Sequence, residues 1–471
     1  MRRQKRRADA CEAAIKSQGY SAAQLRVILS DAPVKQVVAA AGSGKTRTVI
    51  GLVEYTIRAD AQKSFTDDRR ALMLSFSRRA VGELRSRLPA EIAKRVEVST
   101  FHSFCYRVLA RLRAASGEGP PLQLITDEER EEFLRGYLLA RDFDTGGIPF
   151  AMLFRDPDRF HRLFPEAAHR VFRRYRAYKR ATGRLEYDDL VQQMLAGLRA
   201  DAAGFAELRD HYPLIIVDEF QDTDPDQLEF LQLMRPRRLT VVGDDWQAIY
   251  AFRGATVEPF LNFKRSFARA KVFRLAENYR SLSPIVRLGN KLIRASRRQL
   301  RKRVRAVRGR GPGLPVLACA LDSGSEGSLV ADCPGVSGQE LTILVRTNFR
   351  RSRWLQAGFA PEQVLTVHKA KGLEFPVVFV DLIGGWSSGG TGVTGGSSGF
   401  DDEEVRVLYV AASRAENLLV FLRDPGAKEG SREHLYWNRL CRPQGVREIS
   451  RKKLGVWLQR EAAYRTSEFQ E

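Results

Sequence analysis

Two short stretches of the chain combine residue types that handle phosphate groups. In the first, "VVAAAGSGKTRTVI" (37–50), an apolar strand pattern leads into a glycine loop that ends in Lys45 and Thr46, where a helix pattern begins. Gly42 and Gly44 can adopt positive φ angles, so backbone N–H groups can surround phosphate oxygens. A lysine at this point reaches the β- and γ-phosphates, and the next hydroxyl can bind Mg²⁺. The predicted nucleoside triphosphate site comprises Ala41, Gly42, Ser43, Gly44, Lys45 and Thr46.

The second stretch, "LIIVDEFQDTD" (214–224), is an apolar strand pattern that ends in two adjacent carboxylates. Asp218 is suited to hold Mg²⁺, and Glu219 is suited to polarise the attacking water. The phosphate loop departs from its usual pattern at one point, since Ala39 stands where that pattern has a glycine. Together the two stretches predict an enzyme that hydrolyses ATP with Mg²⁺.

Composition indicates a folded protein with a polyanionic partner. The 471 residues are 44% hydrophobic and 28% charged, with a net charge of +22. An excess of positive charge this large favours nucleic acid as a partner. The five cysteines are scattered and form no paired motif, and no apolar run is long enough to span a membrane. We therefore expect a cytoplasmic protein without disulfides, zinc or a membrane anchor.

The order of strand and helix patterns predicts an α/β fold. Short apolar strands alternate with helices before residue 105 and again after residue 211, which is typical of parallel sheets. Between them the chain shows Arg-rich helix patterns without strands. We predict a first lobe at 1–105 and 211–270, a helical insertion at 106–210, and a second lobe at 271–471.

Further motifs follow the phosphate and carboxylate stretches in a fixed order. They are "GDDWQAIYAFRGA" (243–255), "ENYRS" (277–281), "TVHKAKGLEF" (366–375) and "VLYVAASRA" (407–415), preceded by "YSAAQ" (20–24), "SFSRRA" (75–80) and "TFHSF" (100–104). Together they resemble the UvrD/Rep/PcrA-like superfamily 1 (1A) DNA helicases. The resemblance implies two RecA-like lobes, 1A and 2A, with a helical 1B insertion. It also implies ATP-dependent 3′→5′ movement along single-stranded DNA and helicase activity in repair, replication restart or phage defence.

The resemblance assigns further nucleotide contacts. It implies that Gln24 pairs with adenine, that Tyr279 stacks on it, and that Arg47 and Glu374 contact the nucleotide, Glu374 at the ribose. Gln247 matches a γ-phosphate sensor. Arg280 and Arg414 match arginine fingers, whose charge stabilises the transition state. With Lys45 and Glu219, these last three residues form the predicted catalytic set.

The resemblance also implies a single-strand track in which aromatic faces hold bases and polar groups hold phosphates. Phe252 stands where the family has a tryptophan. The matching positions are Phe76, Thr100, His102, Tyr250, Phe252, Arg253, Arg346, Asn348 and His368.

One family domain has no counterpart in this sequence. The inserted 2B domain of the second lobe would lie between about 350 and 365, but Asn348 and Thr366 are only 18 residues apart. A folded domain needs at least about 50 residues. Two hypotheses follow: a compact single-stranded DNA translocase and helicase that acts at single/double-strand junctions, or an ATP-regulated DNA-binding subunit of a nuclease or anti-phage complex, with weak unwinding alone.

A basic run at 294–310 contains nine Arg/Lys and no acidic residue. Ile293, Leu300, Val304 and Val307 could form the buried stripe of a helix beneath it. A DNA-facing patch and a merely solvated face are both compatible with this pattern.

Overall fold

The protein is represented by a computed structural model. The structure describes residues 2–59, 69–117, 122–150, 154, 157–202, 204–251, 256–311, 315–322, 324–332, 341–383, 386, 402–429, 431–442, 446–456 and 458.

The described chain alternates strands with helices over most of its length. The strands are β1 Val34–Ala39, β2 Ala71–Ser75, β3 Val96–Thr100, β4 Gln123–Leu124, β5 Arg184–Leu185, β6 Leu214–Val217, β7 Arg238–Gly243, β8 Lys271–Leu275, β9 Glu277–Asn278, β10 Arg305–Ala306, β11 Val316–Ala320, β12 Leu341–Val345, β13 Val364–Thr366, β14 Phe375–Asp381, β15 Ala415–Arg423 and β16 Arg447–Ile449. The helices are α1 Arg2–Lys16, α2 Ala22–Ile28, α3 Lys45–Ala59, α4 Arg78–Arg87, α5 Ala90–Ala93, α6 Phe101–Ser116, α7 Asp127–Leu139, α8 Pro157–Leu163, α9 Pro165–Thr182, α10 Tyr187–Arg199, α11 Phe205–His211, α12 Pro225–Met234, α13 Glu258–Leu261, α14 Phe263–Ser266, α15 Ser283–Leu292, α16 Glu326–Asp332, α17 Asn348–Gln356, α18 Val367–Ala370, α19 Asp402–Ala412 and α20 Arg432–Leu435. Short 3₁₀ turns occupy Phe220–Asp222, Asp245–Gln247 and Ile293–Ala295, and a π-helical turn occupies Tyr436–Cys441.

The first sheet has six strands in the order β3-β2-β6-β7-β1-β8. The pairings of β2 with β6, β6 with β7, β7 with β1 and β1 with β8 are parallel. The carboxyl ends of β6, β7 and β1 are therefore neighbours at one edge, where open α/β sheets bind their ligands.

The second sheet also has six strands, in the order β13-β12-β14-β15-β11-β16, and its pairings are parallel. Along β15, Leu418, Val420 and Leu422 enter one core cluster while Leu419 and Phe421 enter another. Both faces of this sheet are thus buried, as expected of a parallel sheet covered by helices. The two-lobe α/β prediction is confirmed.

One strand differs from its predicted place. The predicted second lobe begins at residue 271 and so includes "KVFRL" (271–275), yet β8 pairs with β1 along Lys35–Ala39 in the first sheet. The alternation of apolar residues predicts a strand but carries no information on its partner. The first sheet therefore extends past residue 270.

A second compact unit consists of residues 99–211 and 226–236. It contains the predicted Arg-rich helices, here α6, α7 and α9, and its strands among the described residues are the two-residue pair β4 and β5, apart from the end of β3. Phe160, Val171 and Leu134 lie in its core. The unit begins earlier than residue 106 and includes most of α12, which the sequence pattern placed with the first lobe.

The connection in the second lobe where the family inserts its 2B domain is short in the structure, as the sequence predicts. Helix α17 is followed by a turn and then by β13 at Val364, so no domain is inserted between residues 348 and 366. No helix among the described residues is both long and apolar enough to cross a membrane.

The prediction of a helix beneath the basic run was wrong. Helix α15 ends at Leu292, and the chain continues through a 3₁₀ turn and bends to the short strand β10. Acidic side chains hold the backbone of this segment: the Asp402 carboxylate accepts the N–H groups of Arg297 and Arg298. Val307, predicted to lie in a buried stripe, is 57% exposed.

Candidate nucleotide site and nucleic-acid interface

The phosphate loop connects β1 to α3 at the edge of the first sheet. Gly42 and Gly44 have φ angles of +66° and +75°, a region that disfavours side chains. A Cβ on Gly42 would lie 2.7 Å from the Arg280 Cβ, and one on Gly44 would lie 2.7 Å from the Gln24 Nε2. The two glycines therefore meet both the backbone and the packing requirements of the loop.

Lys45 begins α3 and faces the carboxylates that follow β6. Its Nζ lies 3.3 Å from the Glu219 Oε1. Burial lowers the pKa of Lys45, but the carboxylates of Glu219, Asp244 and Asp218 outweigh burial and raise the pKa above its usual value. Lys45 is therefore a fixed positive charge at the loop.

The two adjacent carboxylates are held differently. Burial, followed by the negative charge of Glu219, raises the pKa of Asp218. Burial acts in the same direction on Glu219, but Lys45 and Lys371 outweigh it and lower the pKa of that carboxyl. Glu219 is therefore the more readily ionised of the two because it faces Lys45, whereas a second negative charge at buried Asp218 favours a cation beside it.

A chain of hydrogen bonds joins the ends of β6 and β7. Gln221 donates to the Glu219 Oε2 at 2.6 Å, and its own Oε1 accepts the Asp244 backbone N–H at 2.9 Å. The Asp244 Oδ2 in turn accepts from the Gln247 Nε2 at 2.5 Å. The predicted base and the predicted sensor thus lie in one network.

Arg414 joins this network from the second lobe. Its side chain is buried, and its Nη2 donates to the Gln247 Oε1 at 2.9 Å. Its other donors bind the carbonyls of Val410 and Leu373. Burial, followed by the nearby Arg280 charge, lowers the pKa of Arg414. A guanidinium held by these contacts needs little reorganisation to face a phosphate.

Arg280 lies against the loop at Gly42. Its Nε donates to the Glu374 Oε2 at 2.6 Å, so the predicted arginine finger and the predicted ribose contact form an ion pair with each other. Asn278 donates to the Ala41 carbonyl at 2.8 Å, and the Tyr279 backbone N–H donates to the Gly42 carbonyl at 2.8 Å. The "ENYRS" segment therefore packs directly on the phosphate loop.

Gln24 and Arg47, two of the predicted nucleotide contacts, lie close to Gly44 of the loop. Gln24 is buried in a capping box with Ser21, and its Nε2 donates to the Ser43 carbonyl at 3.2 Å. Arg47 donates to the carbonyls of Gln18 and Gly19 and lies over the Tyr20 ring. Tyr279, the predicted stacking residue, is 40% exposed and interacts with Ser21 and Arg47.

Two buried polar atoms, one in the loop and one after β6, have the chemistry to bind phosphate and a cation. Among the described residues, Ser43 Oγ and Asp218 Oδ1 have no hydrogen-bond partner. Buried polar atoms are normally paired, so an unpaired hydroxyl and an unpaired carboxylate oxygen at this place suit phosphate and a hard cation. The half-buried Thr46 follows Lys45 and could supply a second oxygen.

An aromatic cluster lies where the first and second lobes meet. The rings of Phe76 and Tyr250 stack with centroids 4.9 Å apart. The Tyr250 hydroxyl donates to the His368 carbonyl at 3.2 Å, and the His368 Nε2 lies 3.1 Å from the Ile249 carbonyl. Lys371 lies over the Tyr250 ring at 4.7 Å. Flat faces with a nearby cation suit single-strand binding.

Comparison with known proteins agrees with this geometry. Residues 20–268, more than half of the chain, match the UvrD/REP helicase N-terminal domain. The chain belongs to the UvrD/REP helicase family. Residues 361–423 match the UvrD-like helicase C-terminal domain, in a stretch that runs from β13 to the end of β15.

Several curated relatives resemble the chain. It is 32% identical to the ATP-dependent DNA helicase UvrD2 of Mycobacterium tuberculosis, over 66% of this chain and 50% of that protein. It is 27% identical to YjcD of Bacillus subtilis, over 70% of this chain and 46% of that protein. The chain thus spans about half the length of these two relatives. A protein of Mycoplasma pneumoniae named "Probable DNA helicase" is 25% identical, over 84% of this chain and 82% of that protein.

Other predicted DNA contacts of this UvrD/REP-family chain lie elsewhere. Arg346 donates both guanidinium arms to Glu404, and Asn348 is the exposed first residue of α17. In the helical unit, Thr100 caps α6, and the His102 ring meets the Tyr187 ring edge-on. Phe252 and Arg253 lie outside the described residues.

Sequence reasoning missed several members of the site. Three of them lie inside the quoted motifs, namely Gln221, Lys371 and Asn278. Their place in those motifs indicates a role at the site, although the sequence analysis assigns them none. Lys371 binds the Asp222 carboxylate and the Gln247 carbonyl, and burial raises the pKa of Asp222 to about 6 although Lys371 opposes the shift. The sequence analysis also assigns no role to Asp244, which contacts both Gln221 and Gln247 in the network.

Proposed function

We propose that this chain is an ATP-driven motor that moves along single-stranded DNA in the 3′→5′ direction and opens duplexes at single/double-strand junctions. The observation that carries the proposal is the joining of two lobes at one phosphate loop. Lys45 and Glu219 come from the first lobe, and Arg414 reaches Gln247 from the second at 2.9 Å. Membership of a helicase family supports the same activity, and the cytoplasmic location expected from the sequence goes with it.

In this proposal each residue at the loop has a separate task. The loop N–H groups and Lys45 bind the β- and γ-phosphates, while Asp218 and Thr46 hold Mg²⁺. The bound ion neutralises negative charge that develops on the phosphates. Glu219 accepts a proton from water, and Gln247 orients that water or senses the γ-phosphate. Arg280 and Arg414 stabilise the charge of the transition state.

Coupling between ATP and DNA would pass along two short segments. Gln247 and Tyr250 are three residues apart after β7, so the sensor and a stacking ring share one turn of chain. In the second lobe, the segment after β13 likewise carries both kinds of contact: His368 for DNA, and Lys371 and Glu374 near the nucleotide site. A change in how the lobes hold the phosphates would therefore move the DNA contacts as well.

A second candidate function is an ATP-regulated DNA-binding subunit that serves a partner such as a nuclease. The observation that favours it is the direct passage from α17 to β13, which leaves no room for a 2B domain. The family places some of its duplex contacts in that domain. Base stacking is worth about 1.4 kcal/mol per step, so a motor without those contacts opposes re-annealing poorly.

ATPase measurements on the isolated protein separate these two functions. We expect hydrolysis to rise steeply with single-stranded DNA and little with blunt duplex, and to disappear in Lys45→Ala. A protein that binds DNA with wild-type fold but hydrolyses ATP at the same low rate with and without it would support the subunit hypothesis instead.

Unwinding needs its own measurement. On 3′-tailed duplexes of increasing length, at single turnover with a trap strand, the isolated protein should separate short duplexes and fail on long ones. Processive separation of long duplexes would contradict a dependence on missing duplex contacts. Separation from 5′ tails alone would contradict the proposed polarity.

A further inference from the structure

One lysine of the basic run is not on the surface. The Lys302 Nζ lies 2.7 Å from the Asp244 Oδ1 and 2.6 Å from the Asp245 Oδ1, and all three side chains are at most 1% exposed. The ammonium also lies 4.4 Å from the centre of the Trp246 ring. A buried charge is tolerated only where partners replace its hydration, and these three groups do so.

Asp244 is shared between Lys302 and the nucleotide site. Its Oδ1 accepts from Lys302, while its Oδ2 accepts from Gln247. Its backbone N–H donates to Gln221, which donates to Glu219. Lys302 is therefore bonded directly to the carboxylate that holds Gln247, the predicted γ-phosphate sensor.

The segment that carries Lys302, residues 296–304, is anchored on both lobes, and we call it the strap. On the first lobe, the Asp245 Oδ2 accepts the Leu300 N–H at 2.7 Å. On the second lobe, Asp402 accepts two N–H groups of the strap, and Arg406 donates to the Arg298 carbonyl. The strap thus ties helix α19, whose chain continues to Arg414, to the turn that carries Gln247.

We propose that Lys302 is a positioning residue of the ATPase site, which holds the Asp244 carboxylate so that Gln247 stays aligned between Arg414 and the γ-phosphate. The inference rests on the proposed function. Without the lysine, two buried carboxylates lie side by side without the ammonium that contacts both of them, and their mutual repulsion favours a shift of the Asp245–Gln247 turn. The ammonium of Lys302 bonds to the two aspartates and not to the phosphate loop, so ATP binding is spared while the chemical step suffers.

The test compares Lys302→Met with Lys428→Met, which removes an exposed lysine of the same lobe. ATPase is measured at saturating single-stranded DNA, and affinity for a fluorescent ATP analogue is measured separately. We expect kcat to fall about tenfold or more in Lys302→Met, with ATP affinity within about threefold of wild type, a split typical of a lost transition-state contact. Lys428→Met should match the wild type.

A double-mutant cycle separates positioning from a general structural role. If Lys302 acts through Gln247, then adding Lys302→Met to Gln247→Ala should lower kcat little further. Full additivity, or wild-type kcat in Lys302→Met, would overturn the inference. If Lys302→Met does not fold, Lys302→Gln keeps a polar donor without the charge and is held to the same criteria. Absence of DNA-stimulated ATPase in the wild type would instead overturn the proposed function, and this inference with it.

Discussion

The backbone of Glu219 has φ +54° and ψ +39°, a left-handed conformation that residues other than glycine rarely adopt. Such conformations cost of order 1–3 kcal/mol and persist only where the surroundings impose them. In this protein the end of β6, the Lys45 ion pair and the Gln221 amide fix the residue. The strain therefore places the carboxylate toward the phosphate loop instead of along the strand direction.

Replacing Glu219 by Gln should leave ATP binding near the wild-type value and lower kcat by about 10²–10⁴, because the shape is kept and only the base is lost. Steady-state ATPase with single-stranded DNA, beside binding of a fluorescent ATP analogue, measures both. Glu128→Gln, an exposed glutamate of the helical unit, is the control. Wild-type hydrolysis by Glu219→Gln would show that another group takes the proton.

A second residue-scale prediction concerns pH and stability. Lys35 on β1 is 4% exposed, and burial lowers its pKa to about 8, with Arg238 acting in the same direction. Below pH 8 the folded protein must keep this charge buried, whereas above about pH 10.5 the lysine is mostly neutral in both states. Lys35→Met should therefore increase the free energy of unfolding most below pH 8, by up to ~3 kcal/mol, and raise Tm accordingly. The increase should shrink as pH rises.

Thermal melts between pH 7 and pH 10 check this prediction. Lys94→Met removes an exposed lysine and should change Tm little at any pH. A gain that stays constant with pH, or a loss of Tm at pH 7, would mean that the buried ammonium is fully compensated by its hydrogen bond to the Val27 carbonyl.

At the scale of elements, the sequence predicted strands better than their connections. The strands that carry the phosphate loop and the carboxylates were predictable because each is an apolar run that ends in polar or glycine residues. The pairing of β8 and the path of the basic run were not, since both depend on contacts distant in sequence. Asp402 and Asp245 hold the strap in a non-helical path, and tertiary contacts override the local helix pattern.

The same limit applies to the site. Lys45, Glu219, Gln247 and Arg414 were predictable because each lies in a motif with a known task. The role of Lys302 was not predictable, because a lysine among eight arginines of a basic run is typical of a solvated face. Its partners lie 58 and 57 residues away in the chain, and only the fold brings them together.

The phosphate loop offers a matched pair of glycine substitutions. Gly42→Ala places a Cβ 2.7 Å from the Arg280 Cβ at a positive φ, so the loop and the "ENYRS" segment must separate. We expect at least a tenfold loss of affinity for a fluorescent ATP analogue. Gly82→Ala, inside α4 with open space around it, should stabilise the fold by up to ~1 kcal/mol and leave ATP binding unchanged. Normal ATP affinity in Gly42→Ala would argue against close packing at the loop.

The aromatic cluster gives the corresponding test for DNA. Tyr250→Ala should weaken binding of oligo(dT) by about 1–3 kcal/mol if a base stacks on this ring. Tyr250→Phe keeps the ring and removes the hydroxyl that donates to the His368 carbonyl, so it should bind almost as tightly as the wild type. Fluorescence anisotropy at fixed salt measures both variants. Equal losses in the two would assign the hydroxyl contact, and not stacking, as the source of affinity.

At the scale of the whole molecule, two lobes with parallel sheets share one buried interface. Trp246 of the first lobe lies in the same core cluster as Tyr409 of the second, and their rings meet edge-on at 5.4 Å. The polar contacts of Arg414, Lys302, Lys371 and Asn278 surround this interface. Because the proposed phosphate and DNA contacts lie on the same few segments, ATP turnover and DNA affinity should change together. The net charge of +22 should favour phosphate binding without sequence preference.

Movement along the strand is therefore the claim to test most directly. Single-stranded oligonucleotides carrying biotin–streptavidin at either end are mixed with the protein and ATP, with free biotin as a trap. A 3′→5′ motor should displace streptavidin from the 5′ end quickly, leave the 3′ end occupied, and lose this activity in Glu219→Gln. DNA-stimulated ATP hydrolysis with no displacement from either end, or displacement from the 3′ end alone, would contradict the account.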